Sequence, residues 1–489
     1  MRRMYTQLLI LIIMLAMLWT SSPAIFTSVS AEHPFGLAAH ASSPLRFQKI
    51  YKKPVRFNKV IGPLEDKGFL LAGTSLITPD DELFAARIDR QGTFSWAKMI
   101  GNRSGGASWL DRLSGAIKTD DEGLVTIGVS STRVGSSPLF YLIAARLDNQ
   151  GNVAWVRLYS NSGVSGENRG RIAWASNGDL VIALVAWDGM LGQGWLRVAR
   201  LDGDGRVRWS RSYSVPSELK LQPIFDEAIV AVPEGGFLVV GTMRNEEGGV
   251  YDRDIFAVRL DDRGNVQWSK RYFNQPDISN EARAVVPAPD GGFLIVGVTS
   301  TYYFANQRAY LLRIDSQGRV QWARTYATTR WDDPDSYDHT EFRDVLRLDE
   351  GGFAMAGSTG FPSDLYALRI NDSREVLWHR SYGGRLFDPG YAVARTADGG
   401  FLFMGTTNSF GDNEVYMVKT DSAGISGVCH ERIPRLVIRT PDYQVEDISW
   451  SEEPWSLNLV PEQDTVYEVL DVSLQETPPP CVYLPFISR

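Results

Sequence analysis

The chain has 489 residues, 44% of them hydrophobic and 22% charged, and a formal net charge of −8. This is ordinary globular composition rather than disorder, and the length admits one large or several small domains. The acidic balance, with no basic run after residue 3, excludes a surface built for nucleic acid, because phosphate contacts need clustered Lys and Arg.

The N-terminus reads as an export signal. Arg2 and Arg3 give a positive start, Leu8 to Trp19 is an apolar run of 12 residues, and Ser28-Val29-Ser30-Ala31 offers small residues for cleavage after Ala31. The run is shorter than the ~20 residues a membrane span needs. The expectation is a signal peptide over residues 1–31, a linker over 32–44, and a secreted or cell-surface mature chain with no membrane span.

From residue 45 the sequence repeats itself. Asp89-x-x-Gly92-x-x-x-Trp96 returns as Asp148…Gly151…Trp155, Asp202…Gly205…Trp209, Asp261…Gly264…Trp268 and Asp315…Gly318…Trp322, with a worn copy at Asn371…Arg374…Trp378. Trp96, Trp155, Trp209, Trp268, Trp322 and Trp378 are spaced 59, 54, 59, 54 and 56 residues apart, the period of a repeat architecture. The unit around residues 281–326 reads as four strands. Glu281–Val286 leads through a tight Asp290-Gly291-Gly292 turn into the apolar Phe293–Val298. Tyr310–Ile314 then leads through Asp315-Ser-Gln-Gly318 into Arg319–Tyr326. Seven second strands can be counted, from Gly68–Gly73 to Gly400–Gly405. A four-stranded antiparallel sheet repeated seven times is the pattern of an all-β, seven-bladed β-propeller over residues 45–429.

The fourth strands share Trp-x-Arg/Lys-x-Tyr, as in Trp268-x-Lys270-x-Tyr272. The seventh unit lacks it, and Phe47-Gln-Lys49-Ile-Tyr51 supplies it ahead of the first unit. The N-terminal strand is therefore expected to complete the last blade and close the ring, removing two exposed sheet edges. Residues 430–489 leave the repeat. They contain strand-like Ile433–Ile438 and Thr465–Val472 among acids and prolines, and read either as a small appendage or as a strap. Cys429 and Cys481 are the only cysteines. In an exported protein they are candidates for a disulfide, which would add ~4 kcal/mol through the unfolded state.

The run Tyr310-Leu-Leu-Arg-Ile-Asp-Ser-Gln-Gly-Arg-Val-Gln-Trp resembles the blades of secreted bacterial β-propellers and is similar to the pyrroloquinoline-quinone-like repeat. The resemblance covers residues 45 to about 429. It implies architecture more than activity, since functions are grafted onto such rings. Catalytic members of the quinone group imply a vicinal disulfide and a calcium site. Here the cysteines stand 52 residues apart and outside the blades, so no cofactor is expected. Non-catalytic members imply a protein-binding scaffold.

In an up-and-down blade the turns after strands two and four share one face. Those connections are long: residues 101–112, 160–170, 187–194, 214–225, 243–253, 300–308 and 327–341. Binding residues favour such loops over a rigid scaffold, and Trp109, Trp187, Tyr302, Tyr303 and Trp331 are the ligand-binding candidates there. The acidic loop Trp331–His339 could offer oxygens to Ca²⁺, but its spacing is not that of the twelve-residue calcium loop, and a solvated loop is the expectation. A basic residue stands two before each hairpin Asp (Arg87, Arg146, Arg200, Arg259, Arg313, Arg369, Lys419) and is read as blade structure. No nucleophile elbow, zinc pair or phosphate-cradling loop occurs.

The favoured expectation is a monomeric, exported, non-catalytic propeller that binds a protein or polysaccharide through its long-loop face. The alternative is a secreted glycan hydrolase or lyase with acids gathered over the central channel.

Overall fold

The structure is a computed structural model. It describes residues 45–477 apart from 53–54, 76–80, 103–108, 135–136, 162–169, 189–192, 217–218, 222–227, 246–252, 275–277, 302–304, 330–338, 428 and 461–466. The expected signal peptide, and the cleavage point after Ala31, lie outside the described residues. Among those described, every regular element is a strand, and no helix is long and apolar enough to cross a membrane.

Seven antiparallel sheets follow one another around a ring. Blade 1 is Val55–Ile61, Phe69–Ser75, Glu82–Ile88 and Phe94–Asn102, and blade 5 is Ser279–Pro287, Phe293–Thr301, Ala305–Ile314 and Val320–Thr329. Blade 7 is closed as expected: Phe47–Lys52 lies antiparallel to Glu414–Thr420, with Phe47 opposite Lys419 and Tyr51 opposite Val415. The apolar second strands are buried on both faces, for example Phe69–Ser75, Phe353–Thr359 and Phe401–Thr407. Each hydrophobic core is made between neighbours. One joins Met404 and Met417 of blade 7 to Phe57 and Phe84 of blade 1, and another joins Leu83 of blade 1 to Leu124 of blade 2.

The repeated motif is the joint between blades. The Asp carboxylate accepts from the backbone two and four residues on, as Asp315 Oδ1 does from Gln317 N (2.9 Å) and Arg319 N (2.8 Å), and so sets the hairpin turn. The Gly adopts positive φ, 76° at Gly318, and presents a bare backbone to the preceding blade's tryptophan. A Cβ on Gly318 would stand 2.8 Å from Trp268 Cζ3, and one on Gly151 2.6 Å from Trp96 Cδ2. Trp268 Nε1 then donates to Ser316 O (3.0 Å) and Trp96 Nε1 to Asn149 O (3.0 Å), each in the next blade's turn. Fully buried strand-four tyrosines donate to the Gly carbonyl of the next blade where one stands there, Tyr159 to Gly205 (2.6 Å) and Tyr272 to Gly318 (2.7 Å). In the worn copy Arg374 keeps positive φ at 69°, lays its guanidinium 5.9 Å from the Trp322 ring centroid, and has its carbonyl taken by Arg324. The recurring basic residues pair within the blade and reach onward: Arg200 holds Asp179 (2.8 Å) and Asp262 O (2.8 Å).

The sequence predicts four strands per blade, and the structure has a fifth on each. After the ring closes, the chain runs back around its rim. Glu431–Arg432 pairs with blade 6, Arg435–Arg439 with blade 5, Gln444–Asp447 with blade 4, Ser451–Glu453 with blade 3, Leu457–Leu459 with blade 2, Tyr467–Asp471 with blade 1 and Gln475–Thr477 with the N-terminal strand of blade 7. The C-terminal segment is therefore a strap. An outer strand leaves unpaired N–H and C=O groups, and the strap satisfies part of that row on all seven blades. Its acids meet the basic residue of Trp-x-Arg/Lys-x-Tyr: Lys49–Glu476 (2.8 Å), Lys98–Asp471 (2.6 Å), Arg211–Glu452 (2.5 Å), Lys270–Asp447 (2.5 Å) and Arg380–Glu431 (2.7 Å). Cys429, at the root of the strap, is disulfide-bonded; Cys481 lies outside the described residues.

Candidate functional site

The five aromatic candidates fall where little is described. Tyr302, Tyr303 and Trp331 lie outside the described residues, as does nearly all of the acidic loop 331–339. Trp109 begins the strand Trp109–Lys118 and Trp187 sits near the end of Leu180–Asp188, but their side chains are not among those described. Trp96 and Trp268 are blade joints, as described above, and Trp155 and Trp378 make the same bond, to Gly203 O (3.1 Å) and Ser422 O (2.9 Å).

The same face carries an apolar patch at blades 6 and 7 that the sequence reading passed over. Phe361 lies in the connection after a second strand and Phe387 in one after a fourth strand, so both stand on the long-loop face. They are 70% and 43% exposed, beside Leu386 at 52%, and their rings meet edge to face at 5.5 Å. The signal was present as Gly360-Phe361-Pro362 and Leu386-Phe387, apolar residues inside turns too short to count as long loops.

Beneath the patch two carboxylates face each other across Gly383: a Cβ there would stand 2.3 Å from Asp364 Oδ1 and 2.9 Å from Asp388 Oδ2. Asp388 is fully buried and accepts from Gly384 N (2.6 Å), Ser409 Oγ (2.6 Å), Ser409 N (3.2 Å) and Thr407 Oγ1 (2.5 Å). It is a hub that pins the patch loops to blade 7. Burial pushes the Asp364 carboxyl up to about 7, against the pull of Arg432 and with a further push from Asp388. Arg432 is on the strap and reaches Asp364 Oδ2 at 3.1 Å, so strap, blade and patch share one charged contact.

The second arrangement is the central channel. Among the described residues, five innermost strands carry a β-bulge at one level: between Phe57 and Lys59, Leu113 and Gly115, Ala282 and Ala284, Phe342 and Asp344, and Gly390 and Ala392. The glycine that ends each second-strand motif explains this. A Cβ on Gly297 would stand 2.0 Å from Glu281 O, and one on Gly357 1.9 Å from Glu341 O; the bulged backbone rests on the bare glycine. Blade 3 has Ala183 there, its partner is Arg171, and its pairing runs without a bulge. Bulges re-aim side chains, and here the extra residues include Ser114, Arg283 and Arg343.

Arg171, Arg283 and Arg343, with Lys59 one step along, line a cavity of about 330 Å³ in the channel, where Asp344 is the one carboxylate among the described lining residues. Asp344 is engaged by Lys59 Nζ (2.9 Å) and Val393 N (3.1 Å). Behind the collar, toward the long-loop face, stand two buried glutamates. Glu281 is shared by Arg253 and by Arg283 (2.9 Å). Glu341 pairs with Arg343 (2.6 Å) and lies 3.9 Å from Arg283. Burial would raise Glu341, but Arg343, a hydrogen bond from His339 and Arg283 hold it well below the usual carboxylate range. Among the described residues no group of three or more His, Cys, Asp or Glu is placed to hold a metal ion.

No protein-family model matches the chain, and no curated protein does. Solved structures of similar shape include the Dos1 propeller (9% identity, covering 77% of this chain and 95% of that one, TM-score 0.41). They include the polysaccharide lyase Uly1 (9%, 75% and 90%, TM-score 0.43) and an α-L-arabinanase of Penicillium chrysogenum complexed with arabinobiose (11%, 63% and 92%, TM-score 0.42). At these identities and scores the resemblances say nothing of ligand or reaction.

Proposed function

We propose that the chain is an exported, non-catalytic binding propeller that engages a protein partner through its long-loop face. The observation that carries this reading is the exposed Phe361–Phe387 pair with Leu386 beside it. Aromatic side chains carried on loops tied to the buried Asp388, with Arg385 and Arg432 exposed on the neighbouring backbone, have the composition of an interface hot spot: apolar centre, arginine-bearing rim. An edge-to-face pair of phenylalanines offers no flat platform of the kind a pyranose ring stacks on, which favours protein over polysaccharide.

The glycan-active alternative draws support from the Asp364–Asp388 pair, since two carboxyls at close range are what glycoside hydrolysis uses. Against it, Asp388 is fully buried and occupied by four donors, the described lining of the channel cavity includes one carboxylate, Asp344, engaged by Lys59, and Glu281 and Glu341 behind it are buried in arginine pairs. The test compares the mature protein with a Phe361→Ala/Phe387→Ala variant in cell-surface pull-downs and on a glycan array. The expected result is a protein interaction lost in the variant while the unfolding midpoint holds. An interaction that survives the double substitution sinks the patch, glycan binding without a protein partner turns the reading to polysaccharide, and chain cleavage by the wild type turns it to the enzyme.

A further inference from the structure

We infer that the strap is a covalently closed belt around the propeller, locked by a Cys429–Cys481 disulfide, and that a dithiol reductant opens it and frees its C-terminal end. Cys429 is disulfide-bonded, and Cys481 is the one other cysteine of the sequence. The two stand at opposite ends of a full circuit. Glu431–Arg432, directly after Cys429, pairs with blade 6, and Gln475–Thr477, shortly before Cys481, pairs with the N-terminal strand of blade 7. Blades 6 and 7 are neighbours, so the chain comes back to where it left the ring. The chain lengths match as well. Thr477 lies opposite Ile50 in an antiparallel pair; four residues lead back along that strand from Ile50 to Arg46, as four lead on from Thr477 to Cys481. Arg46 is where the root of the strap passes. A Cβ on Gly427 would lie 3.5 Å from Arg46 Cζ, and Ser426 Oγ accepts from Gln48 Nε2 (3.0 Å).

The rim shows what the bond adds. Apolar strap residues close the blade joints from outside: Leu436 between blades 5 and 6, Tyr443 between 4 and 5, Trp450 between 3 and 4, Leu457 between 2 and 3, Val460 between 1 and 2, and Val472 between 7 and 1. The core between blades 6 and 7 takes no strap residue among those described, and Cys429 leaves the ring at that joint, between Ser426 on blade 7 and Glu431 on blade 6. The C-terminal end of the belt is weakly held. Its last two strands have five and three residues, and the acids that pair with Lys98 and Lys49 are 85% and 42% exposed, so these ion pairs add little. An untethered end of this kind frays. Joined to Cys429, it stays beside its edge at high effective concentration. The closed belt also opposes the parting of blades 7 and 1, the joint that the N-terminal strand completes, since any widening of the ring has to stretch it.

Opening is thiol–disulfide exchange. One thiolate of the dithiol attacks a sulfur of the bond and releases the other cysteine as a thiolate; the second thiol of the reductant then displaces the first cysteine from the mixed disulfide. Two electrons and two protons pass to Cys429 and Cys481, and the dithiol leaves as its own disulfide. Dithiothreitol is the probe, on the full mature protein. Peptide mapping without reduction is expected to link Cys429 to Cys481. On reduction, hydrogen exchange is expected to quicken in Tyr467–Asp471, in Gln475–Thr477 and along Phe94–Asn102 beneath them, with Phe353–Thr359 of blade 6 unchanged, and re-oxidation is expected to restore protection. The rate of unfolding in urea is expected to rise roughly a hundredfold on reduction. A Cys429→Ser/Cys481→Ser protein is expected to match the reduced wild type and to ignore dithiothreitol. Free thiols in the native protein, a link from Cys429 to a second molecule, exchange that is unchanged or that quickens equally in Phe353–Thr359, or a reductant effect that persists in the double variant would each overturn the belt. The comparison of oxidised with reduced wild type needs no variant, so a folding defect in the double substitution leaves the test intact.

Discussion

The hydroxyl of Tyr51 donates a hydrogen bond to the backbone carbonyl of Gly92. The two residues lie 41 positions apart in a chain whose first described strand belongs to its last blade. The bond is the same one that Tyr159 makes to Gly205 and Tyr272 to Gly318, so blade 7 is joined to blade 1 as blades 2 and 4 are joined to their successors.

Tyr51→Phe is expected to lower stability by about 1 kcal/mol, because the buried carbonyl of Gly92 loses its donor. Gly92→Ala is expected to cost more, since Gly92 sits at φ 85° and a Cβ would stand 2.9 Å from Tyr51 Oη. Urea denaturation of the two variants checks the order. Tyr326→Phe should be the milder tyrosine change, because Arg324 holds the carbonyl of Arg374 in place of a tyrosine.

The second-strand glycines give a sharper contrast. Gly297→Ala drives a methyl into the carbonyl of Glu281 and must displace the bulge that aims Arg283; a loss of about 3 kcal/mol is expected, in the range of overpacked cores. Ala183→Gly in blade 3, where no bulge rests on the position, should cost only about 1 kcal/mol through strand flexibility. Equal losses in the two variants would show that the bulge does not depend on glycine.

The strap should behave as a salt-sensitive cover. Its ion pairs are largely exposed on the acidic side, Asp447 at 83% and Asp471 at 85%, so each contributes about 0.2–1 kcal/mol and is screened by salt. Neutralising Glu446, which pairs with Arg271 (2.6 Å), together with Asp447, Glu452 and Asp471 is expected to lower the thermal midpoint at low ionic strength and to narrow the gap from wild type at high salt. Removing residues 430–489 is expected to produce concentration-dependent aggregation by light scattering, because seven outer strands then present open edges.

The buried carboxyl of Asp364 predicts a pH dependence. Its folded value, about 7, lies above the ordinary carboxylate value, so the folded state holds that proton more tightly than the unfolded one. This contribution is fully present below about pH 4 and is lost as pH rises through about 7, with an upper bound on the order of 4 kcal/mol. Asp364→Asn abolishes the titration. The stability difference between variant and wild type should therefore move in favour of the variant between pH 5 and 8, followed by chemical denaturation; a difference that stays flat, or moves the other way, would count against it.

Some of this protein was written in its sequence at short range. The Asp-x-x-Gly turns, the apolar second strands and the period between tryptophans follow from backbone chemistry within a dozen residues, and they suffice to count seven blades. The displaced copy of the strand-four pattern at Phe47–Tyr51 was enough to predict closure, because a motif missing at one end and present at the other has one geometric solution in a ring.

What the tertiary structure alone decided are the relations that join residues hundreds of positions apart. Residues 430–477 read as acids and prolines with faint strand character, because each strap strand is two to five residues long and gains its hydrogen bonds from a blade rather than from its neighbours in sequence. The cationic collar was equally hidden. Arg171, Arg283 and Arg343 look like ordinary charged residues in alternating strands until ring closure brings three innermost strands together, with bulges aiming Arg283 and Arg343, and no local pattern records which side chains a closed ring brings face to face.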